Sequence, residues 1–479
     1  MYSLQKVYSL LLNPVYRFTG EIDEKIRNAI ITLCCILLQG FFILYYNGEN
    51  RFGLYMDHTK NNLICGCILI ILVIFSINAP LKTVKWDPVL FYLFFIAGLG
   101  IVAVSFIHPI GRGYRSFGLM MMFGFPCMYF VWNNRKDYNT LYKRLSFSTA
   151  IVGLLFYAYC IKLAANGELL PVFGRIKACF RNANMFSMVG MVMVCAAVYM
   201  FLINRDNIPW FTLSVLSFAV GWEIVLLGVS RLSILVCAGS MAALIIFTFK
   251  TKDRFTEEQR GKKILVKTVI IVAMTVLAIV SGSYMISANN TIAAGGSLQN
   301  TEISGQPTPA NGGTDTDDTT SAVDRFDTSG KNLDVYTAGR ITIWKRYAVH
   351  LNMLGNSFDR EKIHEVTGGA VVHAHNNFLE IAYRCGIPVA CIHILLELYA
   401  GIISIIFLFG KKYRDPYYLF VIVFMICYAV ESMFDIATLP FERHAPFFYY
   451  MVLIPVFGRK TELQESEDRY AEPRHMRKE

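Results

Sequence analysis

Charge is scarce in this chain. Asp, Glu, Lys and Arg make up 17% of its 479 residues, against about 25% in ordinary soluble domains. With 55% hydrophobic residues and a mean hydropathy of +0.44, the composition is that of a membrane protein. Paired C-x-x-C spacing is missing too. The nearest approach is Cys65-x-Cys67, which excludes the usual structural zinc framework. Most of the 12 cysteines fall inside apolar runs, where a free thiol behaves as a small hydrophobe, so no disulfide framework is expected. The opening stretch LQKVYSLLLNPVYRFTG has neither a long apolar core nor a small-residue cleavage site. That speaks against a cleaved secretory leader and makes the first apolar run an anchor. No internal repeat is visible.

What the chain does have is a series of apolar runs near the roughly 20 residues that cross a bilayer as a helix. They lie at about 29–46, 63–79, 89–107, 117–132, 145–163, 186–203, 210–229, 232–249, 265–286, 387–409, 417–434 and 445–457. The expected fold is therefore all-α and polytopic, with about twelve transmembrane helices and one large extracytoplasmic loop. Basic residues set the expected orientation. If both termini are cytoplasmic, the inner flanks collect Lys6, Arg17, Lys25, Arg27, Lys82, Lys85, Arg135, Lys136, Lys143, Arg144, Arg205, Lys250, Lys252, Arg254, Arg260, Lys262, Lys263, Lys411, Lys412 and Arg414, with the basic tail from Arg459 to Lys478. The short outer loops are poorer, with Arg51, Lys60, Arg112, Arg115, Arg175, Lys177, Arg181, Arg231 and Arg443. This is the positive-inside pattern. The net charge of +10 is then a topology signal, and no nucleic-acid partner is implied.

The expected organisation is an N-terminal bundle over 1–286, an extracytoplasmic loop over 287–384, C-terminal helices over 385–457 and a cytoplasmic tail over 458–479. The loop begins with GGSLQNTEISGQPTPANGGTDTDDTTSAVD, a stretch unable to bury a core, so 287–333 is read as flexible. An ordered helical lobe is expected over 334–384, because Ile341, Ile343, Trp344, Tyr347, Ala348, Leu351 and Leu354 recur at helical spacings. The D-x-D pair Asp315 and Asp317 sits in the acidic low-complexity run and reads as solvated linker. His373 and His375 form H-x-H, but no strong third ligand accompanies them beyond His364 and Glu380, so no metal is expected.

Arginine is harder to dismiss. Arg231, in LGVSRLSILV between two apolar runs, lies at or just inside the membrane boundary, where an unpaired guanidinium is costly. It either snorkels to the headgroups or binds an anionic ligand in a cavity, since its planar fork matches phosphate. Arg181 and Arg340 fall on the same side. Arginines gathered there suit a lipid-linked phosphate or diphosphate. In HAHNNFLEIAYRCG, from His373 to Gly386, Asn376 or Asn377 can cap a helix that stops near Gly386. A histidine at such an N-terminus is favoured in its neutral form, and Glu380 is placed to pair with Arg384 at i+4.

The fragments FRNANMFSMVGMVMV, VSRLSILV, GRITIWKRY with LNMLGNSF, and HAHNNFLEIAYRCGIPVA resemble, in order and spacing, the O-antigen ligase and O-antigen polymerase family of polytopic membrane glycosyltransferases. The resemblance covers roughly 181–390. It implies transfer of a glycan from a polyprenyl-diphosphate-linked donor to a glycan or lipid acceptor outside the bacterial cytoplasmic membrane. The family's loop histidine falls on His375, its Ser-Arg pair on Ser230 and Arg231, its loop Gly-Arg with a following tryptophan on Gly339, Arg340 and Trp344, and an asparagine opening a span on Asn184. The chain departs from the family at Leu354-Gly355-Asn356, where a Gly-x-Gly stretch is common, and at Ile387-Pro388 after Gly386, where a second glycine is common.

What the resemblance implies chemically is a metal-independent and cofactor-free reaction, with His375 as general base and Arg231 and Arg340 receiving the leaving diphosphate. Arg181, Asn184, His373, Asn376 and Trp344 are the expected substrate-binding residues. Polymerisation of repeat units, ligation of finished polysaccharide and transport of the lipid-linked oligosaccharide all remain open from residues alone. Topology is directly testable. A Ser304→Cys protein should react with an impermeant thiol reagent added to whole cells and a Glu258→Cys protein should not; the reverse pattern would overturn the orientation.

Overall fold

The computed structural model describes residues 1–45, 58–110, 113–135, 137, 139–169, 171–172, 175–180, 183–251, 260–295, 339–357, 359–367, 373–435 and 438–458. The chain is all-α apart from one two-residue hairpin. It opens with α1 (Tyr2–Thr19), α2 (Glu24–Tyr45), α3 (His58–Phe75) and α4 (Pro88–Ile107). The next apolar run is α5 (Tyr114–Leu119), a π-helical turn (Met120–Gly124) and α6 (Phe125–Asn133) in continuous succession. There follow α7 (Thr140–Ala165), the strands β1 (Pro171–Val172) and β2 (Arg175–Ile176), α8 (Ala183–Ile203), α9 (Ile208–Gly228), α10 (Arg231–Lys250) and α11 (Arg260–Gly295). After 296–338, which lie outside the described residues, come α12 (Arg340–Ala348), α13 (Arg360–Thr367) and α14 (Asn377–Cys385). The last helices are α15 (Ile387–Phe409), α16 (Pro416–Phe434), α17 (His444–Val452) and α18 (Ile454–Phe457).

Every one of the expected apolar runs is helical. Among the described residues, nine helices are long and apolar enough to cross a membrane by length and composition, and the segments 60–76 and 444–457 are shorter apolar helices. Helix α1 adds an element that apolar run length does not disclose. It lies against the bundle through polar contacts, with Gln5 donating to the Val84 carbonyl at 3.0 Å and Tyr8 donating to that of Phe123 at 2.8 Å. Where the helices start follows from the sequence. Asp87-Pro88 opens α4, and the Asp87 carboxylate accepts from the Val89 amide at 3.0 Å; Asn207 before Ile208-Pro209 caps α9, and Asp415-Pro416 opens α16. In each, proline fixes φ at a position whose N–H has no helical partner.

The core sits on α8 and α16, with 83% and 72% of their membrane-spanning windows buried, whereas α11 at 17% lies at the periphery. Helices α8 and α9 meet at Gly190 and Gly221. A Cβ on Gly190 would come within 2.4 Å of the Gly221 carbonyl oxygen, so this is a close backbone approach of the small-residue type.

The helical lobe over 339–385 is anchored by a second glycine pair. The spacing of apolar residues predicts a helix running on to Leu354, but α12 stops at Ala348, and the Asn352 side chain accepts from the Leu354 amide at 2.9 Å. The chain then turns through Gly355, with φ of +75°, against Gly386, with φ of +90°. The Asn356 amide donates to the Tyr383 carbonyl at 2.7 Å and the Ile387 amide to that of Asn352 at 3.0 Å. Gly386 also separates α14 from α15. A Cβ there would lie 2.3 Å from the Met353 carbonyl oxygen, and the backbone conformation is one that only glycine adopts freely. Gly386→Ala is therefore expected to cost about 2 kcal/mol or more of stability, read as a lowered thermal midpoint and a poor yield of monodisperse protein. Unchanged stability would contradict this account of the junction.

Candidate active site

The site is built where α14 meets the end of α16. Asn376 is the N-cap of α14, its side-chain oxygen accepting from the Leu379 amide at 3.0 Å, while its side-chain amide donates to the Met433 carbonyl on α16 at 3.0 Å. Asn377 turns inward, is fully buried, and donates to the Tyr428 hydroxyl at 3.4 Å. From there a polar thread enters the bundle. The Tyr428 hydroxyl lies 3.4 Å from His393 Nε2, which in turn lies 3.0 Å from the Glu397 carboxylate. Behind α14 the expected Glu380–Arg384 ion pair is present and buried. Glu380 also accepts from the Ala374 amide at 2.9 Å, which pins the chain between the two loop histidines.

His373 and His375 come together, their ring centroids 4.0 Å apart and edge to face. An extended strand would also point two imidazoles at this spacing to one side, but the backbone here is not extended. His375 has φ of +50°, a left-handed conformation uncommon outside glycine and asparagine, so the chain folds at this residue immediately before the helix. Burial, reinforced by the neighbouring His375, pushes the His373 imidazole down to about 4, so it is neutral near pH 7.

The residue facing both histidines is Asp435, which ends α16. His375 Nδ1 lies 3.6 Å from Asp435 Oδ1, a separation longer than a closed hydrogen bond. The other carboxylate oxygen, Oδ2, is 2.7 Å from Arg443 Nη1, and the same guanidinium nitrogen lies 3.2 Å from Glu431 Oε1. Burial would raise the Asp435 pKa, but the Arg443 charge, together with hydrogen bonding from the His375 and Arg443 side chains, outweighs it and holds the carboxyl well below its ordinary range.

The arginines complete the arrangement. Arg340 is the first residue of α12, after Gly339 at φ of +75°. Its pKa is lowered by burial, with Asp435 pulling it up and Arg231 pushing it down, so Arg340 lies within electrostatic reach of both. Arg231 opens α10 behind Ser230, the N-cap whose hydroxyl accepts from the Ser233 amide at 3.4 Å. The preceding Val229 has φ of +45°, an outlier for a β-branched residue, and it produces the sharp corner between α9 and α10. Trp344 stands against Phe434 at 6.5 Å between ring centroids.

Of the residues singled out from sequence, His373 and His375 meet beside Asp435, Asn376 caps α14, Arg340 lies in range of Asp435 and Arg231 in range of Arg340, and Trp344 stands against Phe434. Asn184 is engaged from another side: Arg175 donates to its side-chain oxygen at 2.6 Å and to the Gly228 carbonyl at 2.7 Å, which ties it to the corner before Arg231. Arg181 and the acidic run with Asp315 and Asp317 lie outside the described residues, as does the His364 side chain. The sequence reading misses Asp435, Glu431, His393 and Glu397, and counts Arg443 only as an outer-loop cation. Ionisable residues inside apolar helices are functional candidates by default, and Glu397 and Glu431 could have been found on that ground.

No protein-family model, no curated protein and no solved structure matches the chain.

Two carboxylates against one guanidinium make Arg443 the cation on which the cluster depends. Arg443→Met would leave Glu431 and Asp435 buried beside each other, with an expected cost of about 3–5 kcal/mol. The double variant Arg443→Met/Asp435→Asn should recover part of that loss. Thermal unfolding of the purified proteins checks both, and an Arg443→Met protein as stable as wild type would refute the charge balance described.

Proposed function

We propose that the chain is a membrane glycosyltransferase of surface polysaccharide assembly. It polymerises polyprenyl-diphosphate-linked oligosaccharide repeat units on the outer face of the bacterial cytoplasmic membrane, with His375 as general base and no metal requirement. The observation that carries this reading is His375 standing against Asp435, with Arg340 in electrostatic range of Asp435 and Arg231 in range of Arg340. A base with a carboxylate behind it, next to two arginines on separate elements, is the equipment needed to displace a diphosphate by a hydroxyl.

The chemistry follows from those groups. With Asp435 beside its Nδ1, the His375 imidazole is oriented to take the acceptor hydroxyl proton on Nε2, as in an Asp-His pair. The acceptor oxygen forms a bond to the anomeric carbon, the bond from that carbon to the diphosphate oxygen breaks, and the electron pair leaves with the diphosphate. Arg231 and Arg340 stabilise the charge that develops there. The bond energy is already stored in the donor, so no nucleotide is needed. Trp344, half-buried beside Phe434, and Asn376 supply an apolar face and a polar edge for the sugar.

Turnover of purified donor, normalised to folded protein, tests the assignment. His375→Ala is expected to lose roughly 100-fold or more. Arg231→Lys should lose about 30- to 1000-fold, because an ammonium cannot reproduce the two-pronged contact. Long polymer made by the His375→Ala protein would refute the enzyme reading, and near-wild-type turnover by Arg231→Lys would remove Arg231 from the diphosphate site. In a deletion strain, single repeat units left on the carrier support a polymerase; accumulated full-length chains would assign ligation instead.

A further inference from the structure

We propose that His373, His375 and Asp435 form a three-ligand site for a borderline divalent transition-metal ion, Zn2+ being the type, and that its occupation switches off His375 as a base. Metal capture stands on its own geometry; the inhibitory consequence rests on the function proposed above.

Among the described residues this is the one group of His, Cys, Asp and Glu side chains that converges as metal ligands do: one ligand atom from each lies within 4.8 Å of the others. A tetrahedral ion with bonds of about 2.1 Å sets its ligands about 3.4 Å apart, so small rotations of two imidazoles close the site. Among the described residues, neither His373 Nδ1 nor His375 Nδ1 has a hydrogen-bond partner, and the left-handed turn at His375 brings both rings to the same side. Asp435 divides its two oxygens: Oδ2 is held by Arg443 at 2.7 Å while Oδ1 faces His375 at 3.6 Å. A ligating carboxylate anchored through its second oxygen is the outer-shell arrangement that orients metal ligands.

The ligand set selects the ion. Two imidazoles and one carboxylate suit Zn2+, Co2+, Ni2+ or Cu2+, whereas Mg2+ and Ca2+ demand more oxygen ligands. Arg443 and Arg340 lower the affinity for any dication, and Glu431 offsets part of their charge. Three protein ligands leave a coordination position for water. A neutral imidazole that gives one nitrogen to a metal keeps its proton on the other, so metal-bound His375 has no lone pair for the acceptor hydroxyl. Metal capture and base catalysis are mutually exclusive at this residue.

The test uses purified full-length protein with Co2+ as a spectroscopic probe, followed by displacement with Zn2+. Wild type is expected to bind one equivalent with the visible bands of a low-coordinate ion, to release it to Zn2+ but not to millimolar Mg2+, and to lose turnover reversibly on Zn2+ addition. Asp435→Asn and His373→Gln, each shown to be folded by size exclusion and thermal melting, should bind at least tenfold more weakly. Absence of the single equivalent in wild type overturns the site whatever the variants do, and so does binding left unchanged by both substitutions. Metal bound at one equivalent with turnover undiminished overturns the switch. A wild type that binds metal as described yet transfers no sugar under any condition leaves the site standing and sinks the glycosyltransferase reading instead.

Discussion

The guanidinium of Arg443 lies between two carboxylates that arrive from the last turn of α16, at 3.2 Å from Glu431 and 2.7 Å from Asp435. Much of the site depends on this contact. Arg443 caps the start of α17, so the contact fixes how the chain leaves one apolar helix and enters the next. By satisfying Oδ2 of Asp435 it leaves Oδ1 turned toward His375. Buried carboxylates next to a bilayer are costly unless compensated, and one guanidinium nitrogen of Arg443 stands against both of these. The electrostatic field at the loop histidines is therefore set by a helix junction that contributes no residue to the loop.

The same logic extends into the bundle. Helix α14 is short, and its own hydrogen bonds cannot hold it in place. It is instead held at three points of different character: the Asn376 contact to Met433, the glycine junction of Gly355 with Gly386, and the buried Glu380–Arg384 pair, whose arginine also donates to the Ile110 carbonyl at 3.3 Å. Asn377 continues that support inward through Tyr428 to His393 and Glu397. Each of these side chains meets another polar side chain of the row, as polar groups within an apolar bundle need. This makes the row a specific lock for α14, where apolar packing alone would tolerate a shift in register.

The fold was largely legible in the residues, because the bilayer leaves few options: an apolar run of the right length must be helical. The runs at 89–107 or 387–409 could be placed within a residue or two on that ground alone. Helix α1 was not, since its mix of polar and apolar residues makes it neither a span nor a linker. The continuation of α12 to Leu354 failed because apolar spacing carries no information about the glycine junction that interrupts it. For the site, residues that share a short motif were readable and those that meet only in space were not. His373, His375 and Asn376 announce themselves together. Asp435 is an acidic residue after an apolar helix, and its role appears only when α16 is laid beside α14. The absence of a third metal ligand was likewise a statement about sequence neighbours, and Asp435 is not one.

The placement of charge explains how one end of a helical bundle could serve both a base and an anion. Asp435 and Glu431 are tied into Arg443 on the α16 side, and Arg340 and Arg231 enter from α12 and α10 on the other. Asp435 faces Arg443 on one side and is felt by Arg340 on the other, and it stands next to His375. A carboxylate in that position stabilises an imidazolium as it forms and also keeps two arginines from repelling each other before any anionic ligand arrives. Bringing a diphosphate to the arginines would relieve that repulsion directly and leave Asp435 to His375. On the proposed function, donor binding and activation of the base are then coupled through one shared counter-ion, with no moving element required.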